Sequence, residues 1–382
     1  MMNFRVAIAI LGLLTTSLLS VGCSSEDHSA NGVPAAPFDE WEWVGISEPV
    51  SLLDKHSRNN VFWATDDGTG EAQSYQAVYY PSMQRFDDGW VVPTRDSLLF
   101  LDEQLQVKSQ FDVGEGELNQ QLKGVGSVDG SAVVLNFDVS DQDNSYASRL
   151  FALNDQGIHS FSITDYVSSM RACDDGSATW LTKATDSGDL GLVRMDPSGD
   201  TTEVVLETPD GTKLTSGATL LGCSEEGSYL GFYDDSGRLH AYAVEGSWPD
   251  VVLKEDWDIG DLFPKTEKGQ MNRSFQVLDG KLYSFLHEGR VIALDFENHE
   301  VYQSEVLLPP DTNPVSATVD GENIYVVTQP QGGARELRVH SFSLRDPRPS
   351  DGGFLLEGFF SLPHSERGNP YAVPHNVYPA RR

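Results

Sequence analysis

The sequence predicts an all-β fold built from repeated four-stranded antiparallel sheets. Residues 274–307 show the pattern: two alternating apolar segments joined by Asp279-Gly280, a third strand after Gly289, and a closing strand. An Asp-Gly pair between alternating segments is a strong hairpin signal, because the turn needs positive φ, which glycine adopts at little cost. The second observation is that this arrangement recurs along the chain.

Six copies of the unit are recognised by the glycine of the first turn. These glycines are Gly89, Gly130, Gly176, Gly227, Gly280 and Gly321, at spacings of 41, 46, 51, 53 and 41 residues. Four short strands in a unit of this length are typical of a β-propeller blade. Residues 41–80 contain further strand-like segments one period upstream, so we expect seven blades, with six or eight as alternatives. A β-sandwich with accidental Asp-Gly turns is the competing fold.

A ring of blades has a physical reason. Each small sheet has an apolar face that it cannot bury alone, and circular closure leaves only short, protected strand edges. We expect residues near 42–80 to complete the ring beside residues 316–362. The predicted propeller therefore spans residues 41–362. Residues 366–382 hold three prolines and no alternation, so we expect residues 363–382 to form an irregular C-terminal tail.

The chain has three cysteines, and Cys173 and Cys223 stand apart from the N-terminal one. Each lies three or four residues before a first-turn glycine, so both should close the innermost strands of consecutive blades. They either form an inter-blade disulfide, which needs Cα atoms within about 7 Å, or are two small buried side chains. The sequence leaves both interpretations open.

The N-terminus has the layout of an export signal. Arg5 precedes a mostly apolar run, Val6 to Gly22, that ends at Cys23 and is followed by a polar, acidic stretch. The layout resembles the lipobox of bacterial lipoproteins, although Ser20 replaces the commoner leucine. The resemblance implies cleavage between Gly22 and Cys23 and a diacylglycerol on the Cys23 sulfur. An ordinary cleaved signal peptide and an uncleaved anchor are the alternatives. We therefore expect a signal peptide over 1–22 and a lipidated flexible tether over 23–40.

Charge narrows the possible partners. The formal net charge is −32, and a surface this negative repels phosphate backbones, so no nucleic-acid partner is expected. The same charge holds the domain off anionic lipids, which leaves the N-terminal lipid to make the membrane contact.

The third strands, residues 149–161 and 289–303, resemble those of the pyrroloquinoline-quinone-type repeat class. The resemblance covers most of residues 83–346, but the closing tryptophan of that class is generally missing. Quinoprotein dehydrogenases of this class need a bound quinone, a calcium-like ion and a catalytic aspartate. No such set can be placed on this sequence, so we assign no cofactor, no catalytic residue and no metal ligand.

These observations predict a membrane-anchored, exported lipoprotein whose propeller is a non-catalytic scaffold for a protein or glycan partner at the cell envelope. In fold and anchor it resembles the propeller lipoprotein of the outer-membrane barrel-assembly machine. The domain should face the extracytoplasmic side of the cell membrane or outer membrane. One alternative is a propeller enzyme of the lactonase, glycan-lyase or glycosidase type with an axial metal or paired carboxylates. Another is a small-molecule or glycan-binding module in which Trp and Tyr stack on sugar rings.

Overall fold

The structure is a computed structural model. It describes residues 37–49, 57–78, 80–113, 121–127, 129–140, 146–163, 167–183, 189–207, 218–224, 227–234, 236, 238–262, 275–286, 288–332, 335–350, 352–362 and 372–381. The predicted signal peptide, Gly22 and Cys23 lie outside these ranges. In the described part, the only helical elements are the 3₁₀ turns Phe38–Glu40 and Phe359–Ser361, and no helix there is long and apolar enough to span a membrane.

The described strands form seven four-stranded antiparallel sheets, and the order of strands in each sheet runs from the axis outward. Blade 1 contains β28 (Ala372–Pro379), β1 (Trp43–Pro49), β2 (Arg58–Thr65) and β3 (Gly68–Gln76). Blade 2 contains β4 (Gln84–Phe86), β5 (Gly89–Pro93), β6 (Ser97–Asp102) and β7 (Val107–Asp112). Blade 3 contains β8 (Gln121–Gly126), β9 (Val133–Ser140), β10 (Tyr146–Asn154) and β11 (Gly157–Ile163).

The other four blades repeat the same order. Blade 4 contains β12 (Val167–Ala172), β13 (Ala178–Lys183), β14 (Leu190–Met195) and β15 (Thr201–Val205). Blade 5 contains β16 (Ala218–Ser224), β17 (Gly227–Tyr233), β18 (Leu239–Glu245) and β19 (Val252–Asp258). Blade 6 contains β20 (Gln276–Leu278), β21 (Lys281–Leu286), β22 (Arg290–Asp295) and β23 (Glu300–Gln303). Blade 7 contains β24 (Thr312–Asp320), β25 (Asn323–Pro330), β26 (Arg338–Ser343) and β27 (Phe354–Leu355). The prediction of a seven-bladed propeller is confirmed.

The predicted first turns also lie where the sequence placed them. All six glycines sit in, or directly after, the turn between the two innermost strands of a blade. Asp279 and Gly280 show the requirement most directly, with φ of 49° and 70°. Positive φ at both central residues is the conformation of a type I′ turn, whose twist matches that of the flanking strands. The turn chemistry therefore sets the phase of the repeat.

The described residues form seven apolar core clusters, one between each pair of neighbouring blades. Between blades 2 and 3, for example, Val91 and Leu98 pack against Leu135 and Phe151. The clusters between blades 7 and 1 and between blades 1 and 2 are of the same kind. The ring is therefore closed by the same hydrophobic burial that joins consecutive blades, as the sequence predicts for residues 42–80.

The C-terminal strand closes the ring and corrects one prediction. Residues 363–382 were expected to form an irregular tail, but Ala372–Pro379 is the innermost strand of blade 1 and pairs antiparallel with β1. Its prolines are tolerated because one edge of an innermost strand faces the axis without a ladder partner, and because Pro374 lies opposite a β-bulge at Ile46/Ser47. The expectation of an irregular tail was wrong for this segment, since alternation is weak in a strand covered on both faces.

The folded domain also begins slightly earlier than predicted. Residues 37–40 were assigned to the tether, but Phe38–Glu40 forms a 3₁₀ turn. The Phe38 ring packs edge-on against Trp41, with ring centroids 5.3 Å apart. Trp41 in turn stacks on Trp63 of β2 at 5.6 Å. This aromatic series fixes the chain where it enters blade 1.

We call β28 the clasp strand, because its pairing with β1 closes the ring. Its contribution to stability can be tested with the substitution Val377→Asp. Val377 is fully buried between blades 7 and 1, so an uncompensated charge there should lower the free energy of unfolding by about 4 kcal/mol or more. The matched control is Val301→Asp on β23, where the side chain is 41% exposed and the loss should be about 1 kcal/mol or less. Urea unfolding followed by tryptophan fluorescence measures both values. Equal losses at the two positions would contradict the role given to β28.

Candidate functional site

The innermost strands surround an axial cavity. Neighbouring innermost strands contact one another, as β12 does with β8 and β16. The space they enclose has a volume of about 310 Å³, and the described residues that line it come from every blade except blade 5. Most lining side chains are hydroxyl, amide or aromatic groups. Because β-propeller sites are assembled around the axis from several blades, this cavity is the candidate functional site.

Near the clasp strand, several polar side chains of the cavity wall bond to backbone groups of a neighbouring blade. The Val377 N–H donates to Thr318 Oγ1 at 3.1 Å, and the Met83 N–H donates to Asn376 Oδ1 at 3.2 Å. The Tyr378 hydroxyl donates to the Met83 carbonyl at 2.8 Å, and burial raises the pKa of Tyr378, which keeps the hydroxyl protonated. Side chains of one blade thus satisfy inner-edge backbone groups of the next, which would otherwise be unpaired inside the protein.

Similar side-chain hydrogen bonds connect other pairs of blades. Gln84 Nε2 donates to the Gly124 carbonyl at 3.1 Å, which connects blade 2 to blade 3. Ser169 Oγ accepts the Leu220 N–H at 3.0 Å and lies 3.2 Å from Thr219 Oγ1, which connects blade 4 to blade 5. A polar side chain on the wall is therefore not by itself evidence of a ligand.

Two wall hydroxyls differ from the rest. Ser82 Oγ and Ser168 Oγ are buried and make no hydrogen bond within the described part of the chain, yet both residues line the cavity. Ser82 is 5% exposed and lies over Gly124, where even a Cβ would collide with its hydroxyl. Buried polar atoms are nearly always hydrogen-bonded in proteins, so these two closed-off hydroxyls are exceptions within the described part of the chain.

Tyr80 forms an open edge of the cavity. Its side chain is 40% exposed and its φ is 52°, which is unusual for an aromatic residue. The Tyr80 N–H donates to Glu48 Oε1 at 3.2 Å. His375 Nδ1 lies 3.2 Å from the Pro81 carbonyl and 3.9 Å from Glu48 Oε2. Because a carbonyl oxygen only accepts, Nδ1 carries the hydrogen, and the clasp strand holds the Tyr80–Pro81 segment in place.

The charge of the wall contrasts with that of the whole protein. The chain has 58 acidic residues, but none of the described residues that line the cavity is an aspartate or a glutamate. Arg171 does line it, is 6% exposed, and donates to the Met170 carbonyl at 3.0 Å. Burial lowers the pKa of Arg171 to about 10, so it remains protonated at neutral pH. The wall is therefore neutral to positive inside an acidic protein.

An ion pair beside the cavity links blade 2 to blade 7, which lie on either side of blade 1. Arg85 of β4 donates to Asp320 Oδ2 at 3.1 Å and to the Pro379 carbonyl at 3.3 Å. Its guanidinium carbon lies 4.3 Å from the centre of the Trp90 ring. The two side chains of the ion pair are each 12% exposed. Arg85 thus connects blade 2 to blade 7 across the innermost strand of blade 1.

Of the site residues predicted from sequence, the structure describes only the cysteine pair. Cys173 and Cys223 are buried and form a disulfide, with Cα atoms 5.1 Å apart. Cys173 follows β12 and Cys223 lies in β16, so the bond joins the innermost strands of blades 4 and 5. Gly22 and Cys23 lie outside the described residues, and lipidation stays a prediction. Among the described residues, no three His, Cys, Asp or Glu side chains come together as a metal site.

Sequence reasoning did not find the cavity residues. The turn glycines locate the innermost strands, and Ser82 and Ser168 stand seven and eight residues before Gly89 and Gly176. That spacing predicts where the innermost strand lies, but it does not predict which of the side chains face the axis. The direction of each side chain depends on local bulges, such as the register shift between Val167 and Ser169.

Comparisons with known proteins add no family. No protein-family model matches the sequence, and no curated protein matches it. Among solved structures, a quinonprotein alcohol dehydrogenase-like protein from Bacteroides thetaiotaomicron is 9% identical, with a TM-score of 0.48 over 91% of this chain and 80% of the other. BamB from Moraxella catarrhalis is 15% identical, with a TM-score of 0.37 over 72% and 87%. Apo AztD from Citrobacter koseri is 13% identical, with a TM-score of 0.41 over 82% and 84%. Function must therefore be inferred from this chain's own residues.

A double-mutant cycle on Arg85→Met and Asp320→Asn tests whether the Arg85–Asp320 ion pair stabilises the closed ring. Each single change should lower the free energy of unfolding by about 2–4 kcal/mol, because it leaves the other charge poorly solvated. The double variant should recover about 1–2 kcal/mol of the summed loss. The control cycle uses the exposed pair Arg348 and Asp346, at 80% and 70% exposure, where the coupling should be near zero. Additive losses at Arg85 and Asp320 would show that the pair does not act as a unit.

The disulfide gives a separate test. Replacing both Cys173 and Cys223 by serine should lower the free energy of unfolding by about 2–4 kcal/mol, since the bond closes a long loop in the unfolded chain. Denaturant titration with and without a reductant measures the loss. The reductant should destabilise the natural protein and leave the double variant unchanged. A natural protein that is indifferent to the reductant would argue against the bond.

Proposed function

We propose that this protein is an exported lipoprotein, held at a membrane by an acylated Cys23, whose propeller is a non-catalytic scaffold that binds a protein or glycan partner. The proposal combines a tether inferred from the sequence with a binding surface inferred from the structure. The two parts have separate support and separate tests.

The observation that carries the binding role is the axial cavity. Six blades contribute to its wall, and hydroxyl, amide and aromatic side chains supply both hydrogen bonds and stacking faces. The wall is held by cross-blade hydrogen bonds and by the packed clusters between blades, so it is formed before a partner arrives. Preorganisation of this kind lowers the entropy cost of binding.

Export is supported by the cysteines. The described pair is joined in a buried disulfide, and such bonds persist in oxidising compartments but are rare in the bacterial cytoplasm. A signal peptide that ends at Cys23 would deliver the chain to such a compartment. The tether is supported by the lipobox-like residues before Cys23 and by the small, polar residues after it.

Charge supports attachment through lipid rather than through the domain surface. With a net charge of −32, the domain is repelled by anionic headgroups. Acyl chains on one cysteine, each contributing about 0.8 kcal/mol per buried methylene, hold a soluble domain against that repulsion. In this proposal the small, polar residues after Cys23 form the tether that lets the propeller present its cavity to a partner.

The tether is tested by feeding labelled palmitate to cells that make the full chain. The natural protein should incorporate label and sediment with membranes, whereas Cys23→Ala should do neither, because the acylated sulfur is gone. The matched control replaces Cys173 and Cys223 by alanine, which leaves Cys23 intact and should retain the label.

Four results would count against the proposal. Label on the Cys23→Ala variant, or none on the natural protein, would contradict the tether. A stoichiometric calcium or zinc ion in the purified full chain would instead favour the propeller-enzyme alternative. Failure of the immobilised full chain to retain any protein or glycan from envelope extracts would contradict the scaffold role.

A further inference from the structure

We propose that the protein binds its partner with the end of the ring that lies opposite the tether, and that this partner is a protein with a positively charged surface that packs on Tyr80. We call the end of the ring that carries the first turns, such as Asp279-Gly280, the proximal end. The distal end is the one where the innermost strands begin. The inference rests on the proposed binding role, of which it specifies the surface and the class of partner.

The described chain starts at the proximal end. β1 begins at Trp43, which lies opposite Pro379 where β28 ends. Just beyond this pair, the Ala380 N–H donates to the Glu42 carbonyl at 3.0 Å. In the other blades the end of the innermost strand is followed by the first turn. The proposed tether therefore joins the ring on the side of the first turns.

Tyr80 lies at the distal end. Its N–H donates to Glu48 Oε1 at 3.2 Å, and Glu48 pairs with Val373 near the start of β28. Trp43 and Glu48 belong to the same strand, and its rise separates them by about 17 Å. Tyr80 and the start of the described chain are therefore at opposite ends of blade 1.

The length of the proposed tether favours a distal end that faces away from the membrane. A flexible chain as long as residues 23–36 has a root-mean-square end-to-end distance of about 20 Å, which is similar to the separation of the two ends of the ring. Turning the distal end to the membrane would stretch such a tether along the side of a blade and reduce its conformational entropy. We therefore expect the distal end to be the one that meets a partner.

Tyr80 is an exposed aromatic residue on that end. Among the described residues that line the cavity, it is the one that is exposed, while the others are buried or half-buried. Its φ of 52° is strained for an aromatic residue, and strain of this kind persists where the surroundings hold it and is common at functional sites. Here Glu48 holds the Tyr80 N–H, and His375 Nδ1 donates to the Pro81 carbonyl at 3.2 Å. A tyrosine whose backbone is fixed in this way is suited to anchor a protein interface, where tyrosines often dominate the binding energy.

Charge indicates a basic partner. The net charge is −32, and carboxylates outnumber arginines among the exposed residues in the described connections of the distal end. The carboxylates include Asp96, Glu207, Glu288, Glu305 and Asp311, and the arginines include Arg95, Arg238 and Arg335. Such a surface attracts a positively charged protein and speeds its association, whereas it repels nucleic acids and anionic glycans.

The experiment replaces Tyr80 by the photoreactive amino acid p-benzoylphenylalanine in the full chain, and cells that make it are irradiated. The matched control carries the same group in place of Tyr302, a tyrosine of similar exposure, 47% against 40%, on the outermost strand β23. Position 80 should give a discrete adduct that mass spectrometry identifies as a basic protein. Position 302 should give no such adduct, because the side of a blade is not the proposed surface.

The cross-linked protein is then purified and titrated against the full chain in detergent. Tyr80→Ala should weaken binding by about tenfold or more, because an anchoring tyrosine is lost. Tyr302→Ala should leave the affinity unchanged. Binding of the natural protein should weaken as the salt concentration rises, since opposite charges are screened.

A second measurement does not need the partner. A dye is placed on Asp88→Cys in the first turn of blade 2 or on Gln331→Cys after β25 at the distal end, both at exposed positions. The lipidated full chain is reconstituted in vesicles that carry a quencher on the lipid headgroups. The dye at position 88 should be quenched at least about twofold more strongly, because a tether of this length keeps the proximal end nearer the bilayer. Equal quenching would overturn the orientation.

The inference is overturned if position 80 gives no adduct, if positions 80 and 302 give equal adducts, or if the adduct is a glycan or an acidic protein. These outcomes are distinct from failure of the proposed function. A chain that cross-links only through position 302 keeps the scaffold role and removes this surface. A chain that takes up no palmitate but cross-links through position 80 removes the anchor and keeps the surface.

Discussion

No blade of this protein can bury the faces of its own four-stranded sheet, and each blade therefore depends on the next for its apolar core. The seven clusters between blades are equivalent in kind, including the two that flank the closing blade. A ring built this way is stable only when it is complete, because an open end would expose two apolar faces. The ring is closed by β28, a strand near the C-terminus that pairs antiparallel with β1.

Closure creates a second problem at the axis, and its solution produces the candidate site. Each innermost strand has one edge with no neighbouring strand, so its N–H and C=O groups need partners from elsewhere. Side chains such as Asn376 and Gln84 supply them across blade boundaries. The axis is consequently lined by polar groups whatever the protein binds.

The strand that closes the ring also builds the cavity. His375, Asn376 and Tyr378 of β28 all line it, and Arg85 bonds to the carbonyl of Pro379 at the end of the same strand. Fold integrity and the geometry of the wall are therefore coupled through one segment. A partner that contacts this wall would stabilise the clasp, because it binds only the closed ring.

By itself the sequence determined the class of fold, the number of blades as its central estimate, and the phase of the repeat, since Asp-Gly turns and alternation are local properties of the chain. It also placed Cys173 and Cys223 on consecutive innermost strands. It did not identify β28 as a strand, because the prolines there are atypical of one. This strand pairs with β1, which lies about 330 residues earlier in the sequence. Nor did it identify Ser82 or Ser168 as wall residues. Both outcomes depend on which groups meet across blades, and only the closed ring decides that.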